Sequence, residues 1–425
     1  MRITIIAVGS RGDVQPHIAL GAGLQAAGHD VRIATHTLFE TLIRRLGLDF
    51  YPLAGDPRAV VENALGQAWL GSGNNSLLFF QRFSRIAEPL VHQVMLDCWN
   101  ACKETELIVF SPLAICAAAS IAEKLDVPFC IGAGQPMTPT GAFPSPFFPA
   151  APAWLSFGAN AYNRLTHTLS ARIFWQLIAA SVNKARADLL NLPPLSSRWL
   201  YEQMRGQRFS ILYYFSPSVL PHPFDWGKDN HVTGYWYLDD QSNWQPPAAL
   251  LDFLAAGPPP VYVGFGSMQT RNPHEMTAKV LLALAKAKQR AILVSGWGGI
   301  SQAALPDEVF KIDAVPHDWL FPQMAVVVHH GGAGTMAASL RAGIPSVMIP
   351  FFGDQPFWGR RYHTLGIIPK PIPQKQLTVE RLAAAIKIAT SDEAIRSRVA
   401  ALSARIRAED GVARAVEILQ RKAGP

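Results

Sequence analysis

Short apolar runs of strand length alternate with longer segments of helical periodicity along the whole chain. The first half contains ITIIAVGS, DVRIATH, LDFYPLA, ELIVFSP, PFCIGAG and FSILYYFSP, and the second half contains PPVYVGFGS, RAILVSG, EVFKIDAVP, AVVVHH and PSVMIPFFG. Continuous apolar runs are typical of parallel strands whose two faces are both covered by helices. The segment QPHIALGAGLQAAGH repeats its apolar residues at helical spacing and ends at Gly28. The pattern therefore predicts an α/β protein with two doubly wound, Rossmann-like parallel sheets.

A stretch rich in Pro, Asp and Gln, DDQSNWQPPAALLDFLAAGPPP, separates the two series of strands. We place the domain boundary there, which gives an N-terminal domain at 1–240 and a C-terminal domain at 241–400. The remaining stretch, 401–425, belongs to an amphipathic helical segment with a solvated basic face. We expect this terminal helix to pack back toward the N-terminal domain.

The composition is that of a globular chain, since 49% of its 425 residues are hydrophobic and 16% are charged. The net charge of +7 favours anionic small ligands or an anionic membrane surface. No dense Lys/Arg stripe is interleaved with aromatic residues, so nucleic acid is not an expected partner. The four cysteines lack the spacing of a metal site and suit reduced thiols. With no signal peptide and no apolar run of about 20 residues, we expect a cytoplasmic protein.

The loop HHGGAGT follows the run AVVV and raises three interpretations: a metal site, a tight turn, or a site for an anion. Adjacent histidines point opposite ways from a strand, and no further ligands follow at suitable spacing, which disfavours a metal. Glycines at a strand end followed by a helix allow bare backbone N–H groups to approach a phosphate. We therefore favour a diphosphate site, with donors in the loop from Gly331 to Thr335.

Two further loops of the second half follow strand ends in the same way. VGFGSMQT places Ser267 and two glycines after a strand, so that two strand ends converge on one diphosphate. IPFFGDQPFWGRR places Asp354 beside Gln355. This pair suits hydrogen bonding to vicinal hydroxyls of a sugar, and capping of the next helix by Asp354 is the alternative.

The loop AVGSRGDVQPHIALG closes the first strand and carries Asp13. Asp13 is either the N-cap of the following helix, with Arg11 as an ion-pair partner, or a general base that accepts a proton from a hydroxyl. His17, one helical turn further on, is the rival base or a helper.

Two segments of the first half, SLLFFQRF and GAFPSPFFPAAPAWLSFGANAYNRL, are dense in aromatic residues or Pro. We interpret both as irregular apolar lining rather than regular elements. They form either a core loop, an apolar acceptor pocket, or a face that contacts a membrane.

The stretch VPHDWLFPQMAVVVHHGGAGTMAASLRAGIPSVMIPFFGDQPFWGRR resembles the donor-binding signature of UDP-sugar glycosyltransferases of the GT-B fold. With GSRGDVQP and HVTGYW in the first half, the resemblance is greatest to sterol 3-β-glucosyltransferases and their relatives that glycosylate glycopeptide antibiotics. It implies two facing doubly wound domains, the N-terminal one for the acceptor and the C-terminal one for the donor.

The resemblance also implies roles for matching positions. Asp13 falls at the position that activates the acceptor, and Asp354 and Gln355 at the pair that holds the glucosyl hydroxyls. Val315 falls where backbone contacts uracil, and Trp297 is the candidate for stacking, because Ala314 stands where other members carry a stacking Trp. The positions implied to contact the diphosphate are Ser10, Arg11, Ser267, His329, Gly331, Gly332, Ala333, Gly334 and Thr335.

The implied reaction is inverting transfer of glucose from UDP-glucose to a hydroxyl of a lipophilic acceptor, with no metal ion and no cofactor besides the co-substrate. The alternatives are a UDP-sugar epimerase and a non-catalytic protein that binds a nucleotide or a lipid. The acceptor, the sugar and the choice between Asp13 and His17 as base stay open, as does contact with a membrane surface.

Overall fold

The chain forms two compact units in the computed structural model, which describes residues 1–425 except 73–74, 197, 200–201, 203–208, 240–243, 267, 269–271, 297–304 and 424–425. Unit 1 comprises Met1–Leu238 together with Asp410–Pro425, and unit 2 comprises Asp239–Glu409. Each unit is built around one parallel sheet.

Unit 1 contains a seven-stranded sheet in the order β3-β2-β1-β4-β5-β6-β7, and every neighbouring pair is parallel. Its strands are β1 Arg2–Ile6, β2 Asp30–Thr35, β3 Asp49–Pro52, β4 Leu107–Phe110, β5 Phe129–Ala133, β6 Ser210–Tyr213 and β7 Asn230–Val232. Its helices are α1 Arg11–Ala26, α2 Glu40–Arg45, α3 Pro57–Glu62, α4 Ala64–Leu70, α5 Ser76–Ala87, α6 Val91–Ala101, α7 Ile115–Leu125 and α8 Ala159–Ala185.

Unit 2 contains a five-stranded parallel sheet in the order β10-β9-β8-β11-β12. Its strands are β8 Val261–Gly264, β9 Ala291–Val294, β10 Val309–Ile312, β11 Val326–His329 and β12 Ser346–Met348. Its helices are α9 Ala248–Ala255, α10 Pro273–Ala287, α11 His317–Leu320, α12 Ala333–Ala342, α13 Gln355–Thr364, α14 Val379–Ser391 and α15 Glu393–Arg407.

Burial on both faces explains why these strands are continuously apolar. In β1, Ile3 and Ile5 belong to a core cluster that includes Val14 and Ile18 of α1. Ile6, which points the opposite way from Ile5, is equally buried. The prediction of two doubly wound parallel sheets is confirmed, and all eleven apolar runs form strands.

Three local predictions differ from the structure. SLLFFQRF was expected to be irregular, but it lies in α5, where Asn75 caps the helix by accepting a bond from the N–H of Leu78. The Pro-rich segment is irregular only as far as a 3₁₀ turn at Ala153–Gly158, since α8 begins directly after it. The edge strand β7 was not predicted, because its three residues include His231 and form no apolar run.

The C-terminal segment forms two helices that belong to different units. α15 stays in unit 2, where Ser403 donates a hydrogen bond to the carbonyl of Arg341 at 2.9 Å. The return to unit 1 therefore begins at Asp410 rather than at residue 401. The last helix, α16 Gly411–Ala423, buries Val416 and Leu419 in the core of unit 1.

All four cysteines are buried and unpaired. No helix within the described part of the chain has the length and apolar character needed to cross a bilayer.

Candidate functional site

In the sheet of unit 2, the order in which successive strands are added reverses between β8 and β11. From β8 the strands proceed outward to β9 and β10, and β11 and β12 then lie on the other side of β8. In open parallel sheets, ligands bind beyond the carboxyl ends of the strands at such a reversal. The loops that follow β8 and β11 occupy this position, and the second of them is HHGGAGT.

The two histidines of that loop have different surroundings. His329 is the last residue of β11 and has no exposed surface, and its Nδ1 accepts a hydrogen bond from the N–H of Gly331 at 3.0 Å. Burial, with smaller effects from His330 and His317, holds the pKa of His329 well below its usual range. His329 is therefore a neutral residue of the sheet interior.

His330 lies between the two loops. A Cβ on Gly332 would be 2.5 Å from its Nε2, and a Cβ on Gly266, in the loop after β8, would be 3.2 Å from its Cε1. Its Nδ1 has no hydrogen-bond partner within the described part of the chain. Burial lowers the pKa of His330 to about 4, so the ring is a neutral donor.

The sequence predicts the diphosphate bond for His329, but the ring that borders both loops is that of His330, and we propose His330 as the donor. Successive side chains of a strand point to opposite faces. For this reason the ring of His329 lies inside the sheet, whereas the ring of the next residue, His330, lies at the loop. His329 is closed off by the sheet and by its bond to Gly331.

The glycine loop leads directly into the N-terminus of α12. Gly331 has a φ of +97°, and a Cβ there would collide with the methyl group of Met348. Gly332 caps the helix without a side chain, and the first helical bond runs from Met336 N–H to its carbonyl. The preceding N–H groups, on Ala333, Gly334 and Thr335, are the ones that a helix start leaves without intrahelical partners, so this end suits an anion.

Asp354 and Gln355 stand at the start of α13, next to the glycine loop. Gln355 is buried, and its Oε1 accepts the N–H of Phe351 at 2.8 Å, while a Cβ on Gly331 would be 3.6 Å from the Cβ of Gln355. Asp354 accepts a bond from the indole N–H of Trp358 at 3.1 Å. These bonds hold both residues in place. The side-chain amide of Gln355 also donates a weak hydrogen bond from Nε2 to the sulfur of Met268 at 3.7 Å.

Of the remaining donor-site predictions in unit 2, only Val315 lies within the described residues. Val315 follows β10 and packs on the core cluster that includes Leu320. Ser267 and Trp297 lie outside the described residues.

The equivalent reversal in unit 1 lies between β1 and β4, and the loop after β1 carries Asp13. Asp13 Oδ2 accepts the N–H of Ser10 at 2.8 Å and its hydroxyl at 3.0 Å. Gly9 has a φ of +132°, and a Cβ there would be 2.5 Å from the same oxygen. Burial raises the pKa of Asp13, and the bonds from Ser10 oppose that shift. The N-cap of α1 is Ser10, so the prediction that Asp13 is the N-cap is wrong; Asp13 is the third residue of the helix and completes a capping box with Ser10. This contact uses one carboxylate oxygen, so the interpretation of Asp13 as a general base remains compatible with the structure.

His17 lies one turn beyond Asp13 but points into the core. It has no exposed surface, its Nδ1 bonds to the carbonyl of Asp13 at 2.7 Å, and its ring packs edge-on against Tyr214 and Trp236. Burial lowers its pKa to about 4. Arg11 is exposed and donates to Gln15 at 2.8 Å along the helix. Of these residues, Asp13 is the one whose functional group borders the strand-end loop.

Sequence reasoning missed His36, which follows β2 and is almost fully buried. Its Nε2 accepts the N–H of Gly9 at 3.2 Å, so it holds the loop that carries Asp13. The signal was its position at the end of DVRIATH, beside the first strand.

An apolar cavity lies in unit 1, lined in part by the residues that follow β4 and β5. Pro112 and Leu113 after β4 and Gln135 after β5 contribute to it, so it lies at the carboxyl edge of the sheet. The hydroxyls of Ser145 and Ser170, 2.7 Å apart, are among its few polar groups. Its aromatic walls are Trp69, Phe79, Phe80, Phe83, Phe147 and Phe174.

Two family models match the chain: the glycosyltransferase family 28 N-terminal domain over residues 3–141, and the erythromycin biosynthesis protein CIII-like C-terminal domain over residues 281–420. A sterol 3-beta-glucosyltransferase of Emericella nidulans is 39% identical over 437 residues, which cover 99% of this chain and 30% of that protein. One of Arabidopsis thaliana is 38% identical over 430 residues, covering 98% and 65% respectively. The chain thus spans less than two thirds of the length of these curated relatives.

Solved structures share the fold. The glycosyltransferase of kitacinnamycin matches with a TM-score of 0.69 and 21% identity, covering 100% of this chain and 99% of that one. The glycosyltransferase VinC, in complex with dTDP, matches with a TM-score of 0.67 and 20% identity over the same shares. The two matched domains and the shared fold give the chain the architecture of GT-B glycosyltransferases. Along nearly its whole length the chain is similar to sterol 3-beta-glucosyltransferases.

Proposed function

We propose that the protein transfers glucose from UDP-glucose to the hydroxyl of a lipophilic, sterol-like acceptor, with inversion at the anomeric carbon. The observation that carries this proposal is the strand-end site of unit 2. There, the open N-terminus of α12 and His330 offer several donors to one anion. The similarity to sterol 3-beta-glucosyltransferases supports glucose and a sterol as the first substrates to test.

In this mechanism the acceptor oxygen attacks the anomeric carbon, and the bond from that carbon to the diphosphate oxygen breaks. Asp13 takes the proton of the acceptor hydroxyl through the carboxylate oxygen that does not cap α1. Its pKa, raised by burial, makes it a better proton acceptor than an ordinary aspartate. His17 serves as packing rather than as the base, because it has no exposed surface.

The UDP leaving group gains negative charge as this bond breaks. Donors that are already oriented stabilise developing charge without reorganising, and the α12 N–H groups and His330 supply them here. We therefore propose that no divalent ion is required. Gln355 and Asp354 would orient the glucosyl hydroxyls.

The aromatic cavity of unit 1 is the proposed acceptor site. Its lining of aromatic and other apolar side chains suits a lipophilic molecule. Pro112 and Leu113, which line it, follow β4, the neighbour of the strand that leads to Asp13. Because such acceptors reside in membranes, we also propose peripheral contact of the protein with a membrane surface.

The test is incubation with UDP-glucose, a panel of sterols and other lipophilic alcohols, and EDTA, followed by mass spectrometry of the products. The expected result is one hexose added to an acceptor, with a β-linkage from an α-linked donor. An isomerised sugar in the absence of acceptor would instead identify an epimerase. Tight UDP binding without any product would identify a non-catalytic binding protein, and loss of the product with EDTA would contradict metal independence.

A further inference from the structure

The apolar cavity of unit 1 has a pair of hydroxyl groups in its wall. Ser145 and Ser170 line the cavity, and their hydroxyl oxygens lie 2.7 Å apart, within hydrogen-bond distance of each other. Most of the other side chains that line it are aromatic, aliphatic or proline. A hydroxyl in such surroundings loses its hydrogen bonds to water, so the pair needs an explanation. We call Ser145 and Ser170 the serine pair.

The serine pair has one hydrogen more than its mutual bond uses. Two hydroxyls carry two hydrogens, and a bond between them engages one. Within the described part of the chain, neither hydroxyl oxygen has another hydrogen-bond partner. Ser145 is almost fully buried, and Ser170 is half-buried and borders the cavity. The pair therefore keeps one O–H donor for a molecule in the cavity.

Other contacts hold the serine pair in place. The N–H of Ser145 donates to the hydroxyl of Thr166, one turn before Ser170 on α8, at 2.9 Å. His167 of α8 donates from Nε2 to the carbonyl of Phe143 at 3.2 Å. The segment that carries Ser145 is thus fastened to α8 without the two serine hydroxyls, which leaves them available for another role.

The cavity extends from the sheet edge to α8. Pro112 and Leu113 line it at the sheet edge, and the preceding Ser111 accepts the N–H of Val8, in the loop that leads to Asp13, at 2.9 Å. α7 packs on β4 and β5, whereas α8 packs on α5 and α6. The wall that α8 forms is therefore the one farther from the sheet, and the serine pair lies in it, away from the proposed base.

An acceptor whose reacting hydroxyl lies at the sheet edge would extend through the cavity toward α8. We propose that the serine pair binds a second oxygen of the acceptor, so that the preferred substrates are lipophilic alcohols with an additional hydroxyl remote from the reacting one. That hydroxyl accepts the free O–H of the pair, whereas a hydrocarbon at the same place leaves the donor unpaired. The inference rests on the proposed function, because it takes the cavity to be the acceptor site.

The test compares kcat/KM for cholesterol with kcat/KM for monohydroxylated cholesterols that carry the additional hydroxyl on a ring or on the side chain. All sterols are supplied in cyclodextrin with UDP-glucose. The wild type is compared with the double variant Ser145→Ala, Ser170→Ala. Ser181→Ala is the matched control, because it removes the same atom from α8 at a position outside the cavity lining. Circular dichroism and thermal unfolding check that the variants fold.

In the wild type, at least one hydroxylated cholesterol should have a kcat/KM about twofold to tenfold above that of cholesterol, which is the gain expected from one hydrogen bond between neutral groups. The double variant should lose this preference and keep its kcat/KM for cholesterol within about twofold of the wild type. The control should keep the preference of the wild type.

Three results would overturn the inference: no hydroxylated cholesterol is preferred by the wild type, the double variant keeps the preference, or the double variant slows cholesterol as much as the hydroxylated cholesterols. Sterol binding is measured in parallel without UDP-glucose, from the change in tryptophan fluorescence, since Trp69 lines the cavity. If no sterol is glucosylated but the wild type, unlike the double variant, binds a hydroxylated cholesterol more tightly than cholesterol, the proposed function fails and this inference stands.

Discussion

Replacing Asp13 by Asn separates the two roles of this residue. The carboxylate holds the loop by accepting two bonds from Ser10 on Oδ2. An Asn has the same shape, and its amide oxygen accepts the same two bonds. The amide nitrogen then takes the place of the other oxygen and cannot accept a proton. The variant therefore keeps the start of α1 and loses the proposed base.

The expected loss can be estimated from these two roles. General-base catalysis contributes about 100-fold to 10,000-fold, so kcat should fall by that factor. The exchange should cost little stability, because the amide oxygen of Asn can accept both bonds from Ser10 that complete the capping box at the start of α1. UDP affinity should stay within about twofold, since the donor loops and Asp13 belong to different units.

The assay is the initial rate of glucoside formation, measured together with UDP binding by calorimetry and with urea unfolding. Asp56→Asn is the matched control, because Asp56 caps α3 through the N–H of Arg58 and lies on the surface of the same unit. That variant should retain full activity. If Asp13→Asn keeps kcat within tenfold of the wild type, or if Asp56→Asn loses as much, Asp13 is not the base.

The pH dependence gives a second check on the same residue. Because burial raises the pKa of Asp13, the base becomes protonated at a higher pH than an ordinary aspartate does. The rate should therefore fall with decreasing pH through that raised pKa. The residual rate of Asp13→Asn should not show this fall at low pH. If the variant shows the same fall, the titrating group is a residue other than Asp13.

Three further predictions concern single side chains. His330→Ala should raise the Kd for UDP about tenfold to 100-fold in calorimetry, because a donor to a charged group is lost, while exposed His274→Ala should leave it unchanged. Gly132→Ala should lower the free energy of unfolding by about 1–3 kcal/mol in urea, since its Cβ would lie 2.7 Å from Nε2 of His17; an unchanged midpoint would show that this packing is loose. The pKa of His17 and His167 is lowered to about 4, so between that value and the ordinary 6.5 only the unfolded chain binds these protons. The free energy of unfolding should then fall as pH falls, by about 1.4 kcal/mol per pH unit for each histidine. In urea titrations, His167→Gln should remove the contribution of one histidine to this pH dependence.

The sheets could be predicted because the sequences of buried parallel strands are continuous apolar runs. The elements that were missed lack that pattern for physical reasons. β7 is a three-residue edge strand, which needs less burial. Ser76–Ala87 has apolar residues at helical spacing, but its density of aromatic residues suggested a lining, and only contacts with α8 make the helix the better solution.

The candidate site could be predicted as a set of strand-end loops, but not to the single residue. The choice between His329 and His330 depends on where β11 ends, and strand boundaries are the least certain part of any pattern. The burial of His17 depends on Tyr214 and Trp236, which lie about 200 positions away in the chain. Contacts between residues so far apart in the chain cannot be predicted from a local sequence pattern.

The return of α16 to unit 1 means that the chain changes unit twice, after Leu238 and after Glu409. Cutting after Leu238 would not yield an independent half, because Val416 and Leu419 fill the core of unit 1 and Val412 packs against Gly23. A recombinant first half would carry an open apolar furrow along α1 and aggregate through it. Adding residues 410–425 as a separate peptide should rescue its solubility, and exchange of donor halves between homologues should respect both junctions.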